Sequence, residues 1–326
     1  MLRYVLFNKK GSVRKGTGFN YPRLTKNNHL FVFLTNPTKD EIEHLSKGFS
    51  FDKVPLTTFY KEVHSRRYIT VPFQFVMKSI YLENNKIQFA NLLFVLMNNC
   101  LIVASSKESK YYNELVDHLF DEFKDAEVRS IIHIFSNFLQ EDVDENYEVL
   151  GSIEERIKEI ELKAATFERE VKVSVEDIIF LKSQLFKLSR QFWAVARVIS
   201  LIRMGVAKIV IDTESVHLLL DIHETFLHQI DVAAAQKEML SDALNVYATG
   251  ITTRLAGTSN ELNKIVKRLT AFSIILIAPT VVTGIYGMNF RYIPLSANPY
   301  GFYIITGAVI SIMAGLFVLA KKMDWL

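Results

Sequence analysis

Cysteine is almost missing from this chain: Cys100 is the one such residue in 326. No internal disulfide is available, and within the apolar segment Leu96–Val103 Cys100 reads as a buried strand thiol rather than a nucleophile. Strong charge of one sign is missing too. Lys and Arg number 38 against 35 Asp and Glu, a net charge of +3. That is too small to imply nucleic acid, and no basic patch interleaved with aromatics occurs. A Gly-rich phosphate loop, a nucleophile elbow and a zinc-protease motif are absent, so nothing points to an enzyme or to ATP use. The amino-terminal Met1–Lys10 has no long apolar core, and a cleaved signal peptide is not expected.

The most telling absence is local. Thr270–Phe290 and Tyr300–Ala320 contain no Asp, Glu, Lys or Arg. At about 1.5 Å per residue, roughly 21 helical residues cover about 32 Å, enough for a hydrocarbon core of about 30 Å. A soluble core helix of that length would carry a charged stripe along one side. Two membrane spans follow, and the linker Arg291–Pro299 is short enough to force a hairpin whose ends share a compartment. Lys264, Lys267 and Arg268 precede the first span and Lys321 and Lys322 follow the second, against Arg291 alone in the linker. The positive-inside tendency then puts the long amino-terminal part and the carboxyl terminus in the cytoplasm. A hydrophobic content of 49% suits a large soluble part joined to a small membrane part.

In the soluble part, Tyr4–Phe7, His29–Leu34, Tyr68–Phe75, Ser79–Leu82, Gln88–Leu96 and Cys100–Ala104 are short β-branched or aromatic runs, predicting strands. Glu83-Asn84-Asn85-Lys86 predicts a hairpin turn. Thr38 with Glu41 three residues on, just after Pro37, predicts a capped helix start. Apolar spacing of three and four predicts helices over Tyr111–Phe123 and Val128–Asp142. Glu141–Glu170 is acidic, either a solvated helix face or a cation-attracting collar. Val175–Arg203 is basic and apolar and can pair antiparallel with it, the turn falling near Lys172–Ser174. From Glu214 to Asn289 no proline occurs before Pro279; read as one helix, roughly 76 residues would span about 110 Å. Gly250 and Gly257 are its weak points, each costing about 1 kcal/mol against Ala.

Tyr286-Gly287-Met288-Asn289-Phe290, at the exit of the first span, followed by a short loop and a final span ending in Lys321-Lys322-Met323-Asp324-Trp325-Leu326, resembles the CorA family of divalent-cation channels. Phe31–Ile42 also resembles that family's strand-then-helix opening. The expected fold is α+β: an α/β domain (1–125), cytoplasmic helices including the acidic/basic pair (126–212), a stalk helix continuing into the first span (213–289), an outer loop (290–299), the second span (300–320) and a basic tail (321–326). The resemblance implies a homopentamer in the inner (plasma) membrane, both termini cytoplasmic, contacting lipid and divalent ions and no nucleic acid. It implies Mg2+ as cargo, with Co2+ or Ni2+ as further ions, and Gly287, Met288 and Asn289 as the filter with Tyr286 packed behind. Tyr247–Asn263 runs about two turns longer than the family pattern; an insertion of about seven residues keeps nearly the same face inward.

Asn289 suits that role chemically. Magnesium dehydrates reluctantly, and a ring of neutral amides can bind its waters without stripping them, weakly enough for release. Back from Asn289, Thr280, Ile277, Ser273, Leu269 or Thr270, Val266 and Asn263 recur at helical spacing as a lane, either pore-lining or ordinary helix packing. Ile277, Leu269 and Val266 offer an apolar constriction that gates by dewetting. Regulatory Mg2+ is a second implication, with Asp221 and Glu224 as ligands; the alternative is a pair of solvated helix carboxylates. The loop departs from the family pattern in having no acid and in carrying Arg291. His217, His223 and His228 are six and five apart, do not share a helical face as a His-x-x-x-His zinc pair would, and read as ordinary stalk or core histidines. Zinc transport within the same superfamily and a poreless coiled-coil scaffold are the alternatives.

Overall fold

The computed structural model describes residues 1–8, 13–21, 24–25, 28–51, 59–60, 66–68, 72–123, 130–165, 174–289, 291–295 and 297–325. The described elements are strands β1 (Leu2–Asn8), β2 (Val13–Thr17), β3 (Asn28–Thr35), β4 (Arg66–Tyr68), β5 (Phe73–Glu83), β6 (Lys86–Leu96) and β7 (Cys100–Ser105). The helices are α1 (Lys39–Phe49), α2 (Lys110–Glu122), α3 (Ile131–Ala165), α4 (Val175–Arg203), α5 (Thr213–Tyr286) and α6 (Gly301–Lys322). Two compact units result, Met1–Asn245 and Val246–Leu326.

The first unit is built on one seven-stranded sheet in the order β2-β1-β3-β7-β6-β5-β4. Among the described strands only β3 and β7 pair in parallel; the other pairs are antiparallel. Alternation along β3 sends residues to opposite faces. Leu30, Val32 and Leu34 join Ile42 and Leu45 of α1 in one core. Phe31 and Phe33 turn to the other face, where both rings meet Phe138 of α3, at 6.4 and 6.3 Å. Each fully buried side chain of this size contributes roughly 1.5–3 kcal/mol, so the packing of the sheet against α3 is a main source of the unit's stability.

The turn at Asn84 and Asn85 is observed with both residues at positive φ, 52° and 57°, and Glu83 paired with Lys86. The short polar side chains of Asn tolerate that conformation. Thr38 and Glu41 form the full capping box: Glu41 N–H donates to Thr38 Oγ1 at 3.3 Å and Thr38 N–H to Glu41 Oε2 at 2.8 Å. Two expectations are corrected. Phe73–Phe75 and Ser79–Leu82 belong to one 11-residue strand, β5, whereas Tyr68 ends a separate strand, β4. The segment through Asp142 and the acidic stretch after it are one 35-residue helix, α3. Val128, Thr166–Glu170 and Lys172–Val173 lie outside the described residues, while Ser174 caps α4 by accepting from Asp177 N–H at 3.1 Å.

Helix directions follow from their contacts. Gln229 Nε2 donates to Val143 O at 2.8 Å and Gln236 Nε2 to Leu150 O at 3.0 Å, so α3 and α5 run parallel at a constant offset. On α4, Phe192 meets Phe226 and Ser200 meets His223 at 3.0 Å. The numbering there falls on α4 as it rises on α5, so α4 is antiparallel to α5 and hence to α3.

In the second unit, α6 runs two residues past the expected Ala320 end, and α5 stops at Tyr286, three residues before Asn289. Pro279 lies inside α5 and lacks the N–H that would bond Ile275 O. Thr283 Oγ1 donates to Pro279 O at 3.0 Å and to Thr280 O at 3.2 Å, adding side-chain bonds to the ladder next to the proline. At the far end of the connection, a Cβ added to Gly301 would fall 2.1 Å from Leu295 O. The tight return of the chain therefore requires glycine there.

Candidate functional site

In the second unit, one stripe of α5 is covered within the chain. Ala271 and Ile275 are 2% and 8% exposed, and Ala278, Val282 and Tyr286 are half-buried. A matching stripe on α6, Ile305, Val309, Met313, Leu316 and Ala320, is half-buried or buried. These positions recur every three or four residues and mark the faces that two helices of a hairpin turn toward each other.

At about 100° per residue, Val266, Leu269, Ser273, Ile277 and Thr280 fall on the side of α5 roughly opposite that stripe. All five are exposed in the single chain, Val266, Leu269 and Ile277 at 58, 65 and 57%. Asn263 and Thr270 lie at the edge of the same side and are exposed as well. The second span thus leaves the lane open. Its hydroxyls are oriented by their own helix: Thr270, Ser273 and Thr280 donate to Val266, Leu269 and Leu276 carbonyls at 2.8, 2.9 and 2.9 Å. A hydroxyl that donates backwards still presents its oxygen lone pairs outward. Such a surface accepts hydrogen bonds from the water shell of a cation.

Gly287 and Met288 close the helix end. Gly287 N–H donates to Thr283 O at 2.9 Å and Met288 N–H to Ile285 O at 3.3 Å, which leaves Asn289 exposed just beyond the last turn. The nearest atom to a Cβ added at Gly287 is Thr283 O at 3.2 Å, in its own preceding turn. Tyr286 lies toward the covered stripe rather than the lane. Phe290 is outside the described residues. Arg291 is exposed and borders a concave loop surface of about 770 Å³ lined also by Tyr292, Leu295, Asn298 and Tyr300.

In the first unit, Asp221 and Glu224 are both exposed on α5. No third metal ligand gathers around them among the described residues. The histidines separate: His217 is exposed, His223 Nε2 meets Ser200 Oγ at 3.0 Å and His228 Nδ1 meets the Tyr147 hydroxyl at 2.9 Å. Burial, and then Arg203 nearby, lowers the pKa of His223.

Asp142, expected among solvent-facing or cation-facing carboxylates, is 2% exposed. Its Oδ1 accepts from Ser79 Oγ of β5. Burial raises its pKa to about 7, against opposing hydrogen bonds from Ser79 and Asn146. Glu145, one turn on, accepts from Leu82 N–H at 2.6 Å, and burial raises its pKa too. The acidic stretch is thus partly a polar seam to the sheet. In the sequence, the apolar neighbours Leu139, Val143 and Val149 signalled which face turns inward.

The CorA-like Mg2+ transporter protein family matches residues 26–322. A cobalt/magnesium transport protein CorA of Methanocaldococcus jannaschii is 25% identical over 305 residues, 91% of each chain. Its counterpart in Thermotoga maritima is 23% identical over 253 residues, 77% of this chain and 69% of the relative. The complete structure of the M. jannaschii CorA magnesium transporter superposes with a TM-score of 0.70 at 22% identity, covering 99% of this chain and 98% of that one. The cytoplasmic domain of ZntB from Vibrio parahaemolyticus shares the fold over 76% of this chain and 98% of that one, at a TM-score of 0.59 and 10% identity. A match extending over nearly the whole chain, from the sheet of the first unit to the apolar helix α6, places this protein in the CorA-like Mg2+ transporter family.

Proposed function

We propose that the chain is a magnesium channel, passing hydrated Mg2+, and Co2+ as a second ion, down the electrochemical gradient through a homopentameric pore. The observation that carries this reading is the exposed lane on the side of α5 opposite its hairpin partner. Within a membrane, α6 covers the outer stripe and neighbouring copies of α5 enclose the lane. Five Asn289 amides then ring the mouth, and Ile277, Leu269 and Val266 narrow the path below it. A divalent ion moving inward gains about 4.6 kcal/mol per 100 mV, twice the single-charge figure of about 2.3, so no other energy source is needed.

Membrane placement is supported by two helices with mean hydropathy 1.9 and 2.3 over their most apolar windows. Tyr292, Tyr300 and Tyr303, at 87, 69 and 72% exposure, gather at the loop end of the hairpin. Lys321, Lys322 and Trp325 mark the other end, as residues at a membrane–water interface do. With both termini cytoplasmic, Arg291 sits at the outer mouth and turns toward lipid phosphate. Mg2+ bound at Asp221 and Glu224 would act as a regulatory ligand only where a neighbouring copy completes the site.

Liposomes loaded with a magnesium-sensitive dye test the reading. The wild-type protein gives a voltage-dependent Mg2+ influx, and Asn289→Ala reduces it at least tenfold with the assembly unchanged. Equal influx through Asn289→Ala removes the filter, and Zn2+ flux without Mg2+ flux assigns the chain to zinc transport instead.

A further inference from the structure

We propose that His118, Glu122 and Glu141 form a binding site for a divalent transition-metal ion such as Zn2+, Co2+ or Ni2+ on the first unit, separate from the lane. His118 and Glu122 stand four residues apart on α2, one above the other on a single face. Glu141 comes from α3. One ligand atom from each lies within 4.8 Å of the others, and His118 Nδ1 stands 2.7 Å from Glu141 Oε1.

The surroundings hold these groups in place. On α2, Asp117 and Asp121 are matched by Arg3 and Lys15 from β1 and β2, at 2.8 and 2.9 Å, and Glu114 by Lys110 at 3.1 Å. The polar contact of Glu122 is instead a neutral amide: Asn137 Nδ2 donates to its Oε1 at 2.9 Å. That bond orients the carboxylate without neutralising it, as outer-shell partners of metal ligands do. The Tyr111 hydroxyl donates to the Glu141 backbone carbonyl at 3.4 Å, fixing the chain from which that carboxylate extends.

An ion between these groups would sit about 2.0–2.2 Å from each nitrogen or oxygen, which requires the His118–Glu141 contact to open. The His118 side chain is 66% exposed and that of Glu141 30%, so His118 has the more room to adjust. One imidazole with two carboxylates suits zinc, cobalt or nickel. Magnesium prefers oxygen ligands and its own waters. Occupation would clip α2 to α3, the helix that carries the buried contacts to the sheet and to α5.

The test uses full-length, tag-free protein in detergent, stripped with a chelator and titrated with Co2+. One Co2+ per chain with visible ligand-field absorption is expected, displaced by Zn2+ and retained in a hundredfold excess of Mg2+. His118→Ala and Glu122→Gln weaken binding at least tenfold, with circular dichroism unchanged for Glu122→Gln. Asn289→Ala keeps the site, so failure of the channel reading leaves this one standing. Wild-type affinity in both His118→Ala and Glu122→Gln, or displacement by Mg2+ as readily as by Zn2+, overturns the proposal.

Discussion

Asp142 is the residue where burial and charge conflict most directly. Its carboxyl has a pKa of about 7 in the fold, raised first by burial, against 3.8 unperturbed. Between those values the folded state holds a proton that the unfolded chain releases. Its contribution to stability is therefore complete below about pH 4 and is lost as pH rises through about 7, at no more than about 1.4 kcal/mol per pH unit. Asp142→Asn keeps the shape and an acceptor for Ser79 Oγ but cannot ionise. Thermal unfolding of the detergent-solubilised protein at pH 5 and pH 7.5 is the measurement. The wild type loses stability over that interval and Asp142→Asn loses less; parallel losses would mean that Asp142 is not the titrating group. This residue also shows where reading the chain alone falls short. Asp142 stands among Glu141, Asp144 and Glu145, and composition alone does not separate Asp142 and Glu145, which bond to β5, from the other two; only the apolar spacing of Leu139, Val143 and Val149 marks the inward face. Asn289 lies at the other extreme: its place at the end of an uncharged run is read directly from the chain, and the structure leaves it exposed just beyond the last turn of α5.

At the scale of elements, long helices were legible and edges were not. The run to Pro279 with neither proline nor strong breaker predicted α5, which continues through Gly250 and Gly257, because each glycine costs only about 1 kcal/mol in a helix this long. Strand β2, Val-Arg-Lys-Gly-Thr, went unread: it has one aliphatic residue, and its conformation is set by pairing with β1. The register between α3 and α5 was equally hidden, because it is carried by polar groups. Gln229 is fully buried and Gln236 is 3% exposed; they lie seven residues apart and donate to carbonyls that are also seven apart. Leucine at either position fills similar space but removes a side-chain hydrogen bond to a helix carbonyl, a loss of about 0.5–1.5 kcal/mol. Gln229→Leu and Gln236→Leu should each lower the unfolding midpoint, and the double variant by close to the sum, since the sites share no partner. Hydrogen exchange should quicken along α3 and the first turns of α5 in both. A neutral or stabilising effect of both leucines would show that hydrophobic packing alone fixes the register.

For the whole molecule, the decisive fact is that the hairpin covers one side of α5 and leaves the other exposed. Cysteine chemistry can read this out because the native thiol does not compete: Cys100 is 1% exposed and burial pushes its pKa up. Ser273→Cys and Ile277→Cys place a thiol on the lane; Ala271→Cys and Ile275→Cys place one on the stripe facing α6. If copies of α5 surround an axis, a short bis-maleimide added to membranes links the lane variants between chains. Denaturing gels should then show a ladder that stops at five, the subunit number proposed for the pore. The stripe variants should stay monomeric on the same gels, because α6 stands between each of those thiols and any neighbouring copy. A thiol at Ser273 is small enough to keep the helix intact, and Mg2+ flux through the unlinked variant confirms that the assembly is preserved. Crosslinking should also block that flux, because the bridge crosses the path. Ladders from Ala271→Cys and none from Ser273→Cys would place the lane against lipid, and the axial pore would have to be abandoned.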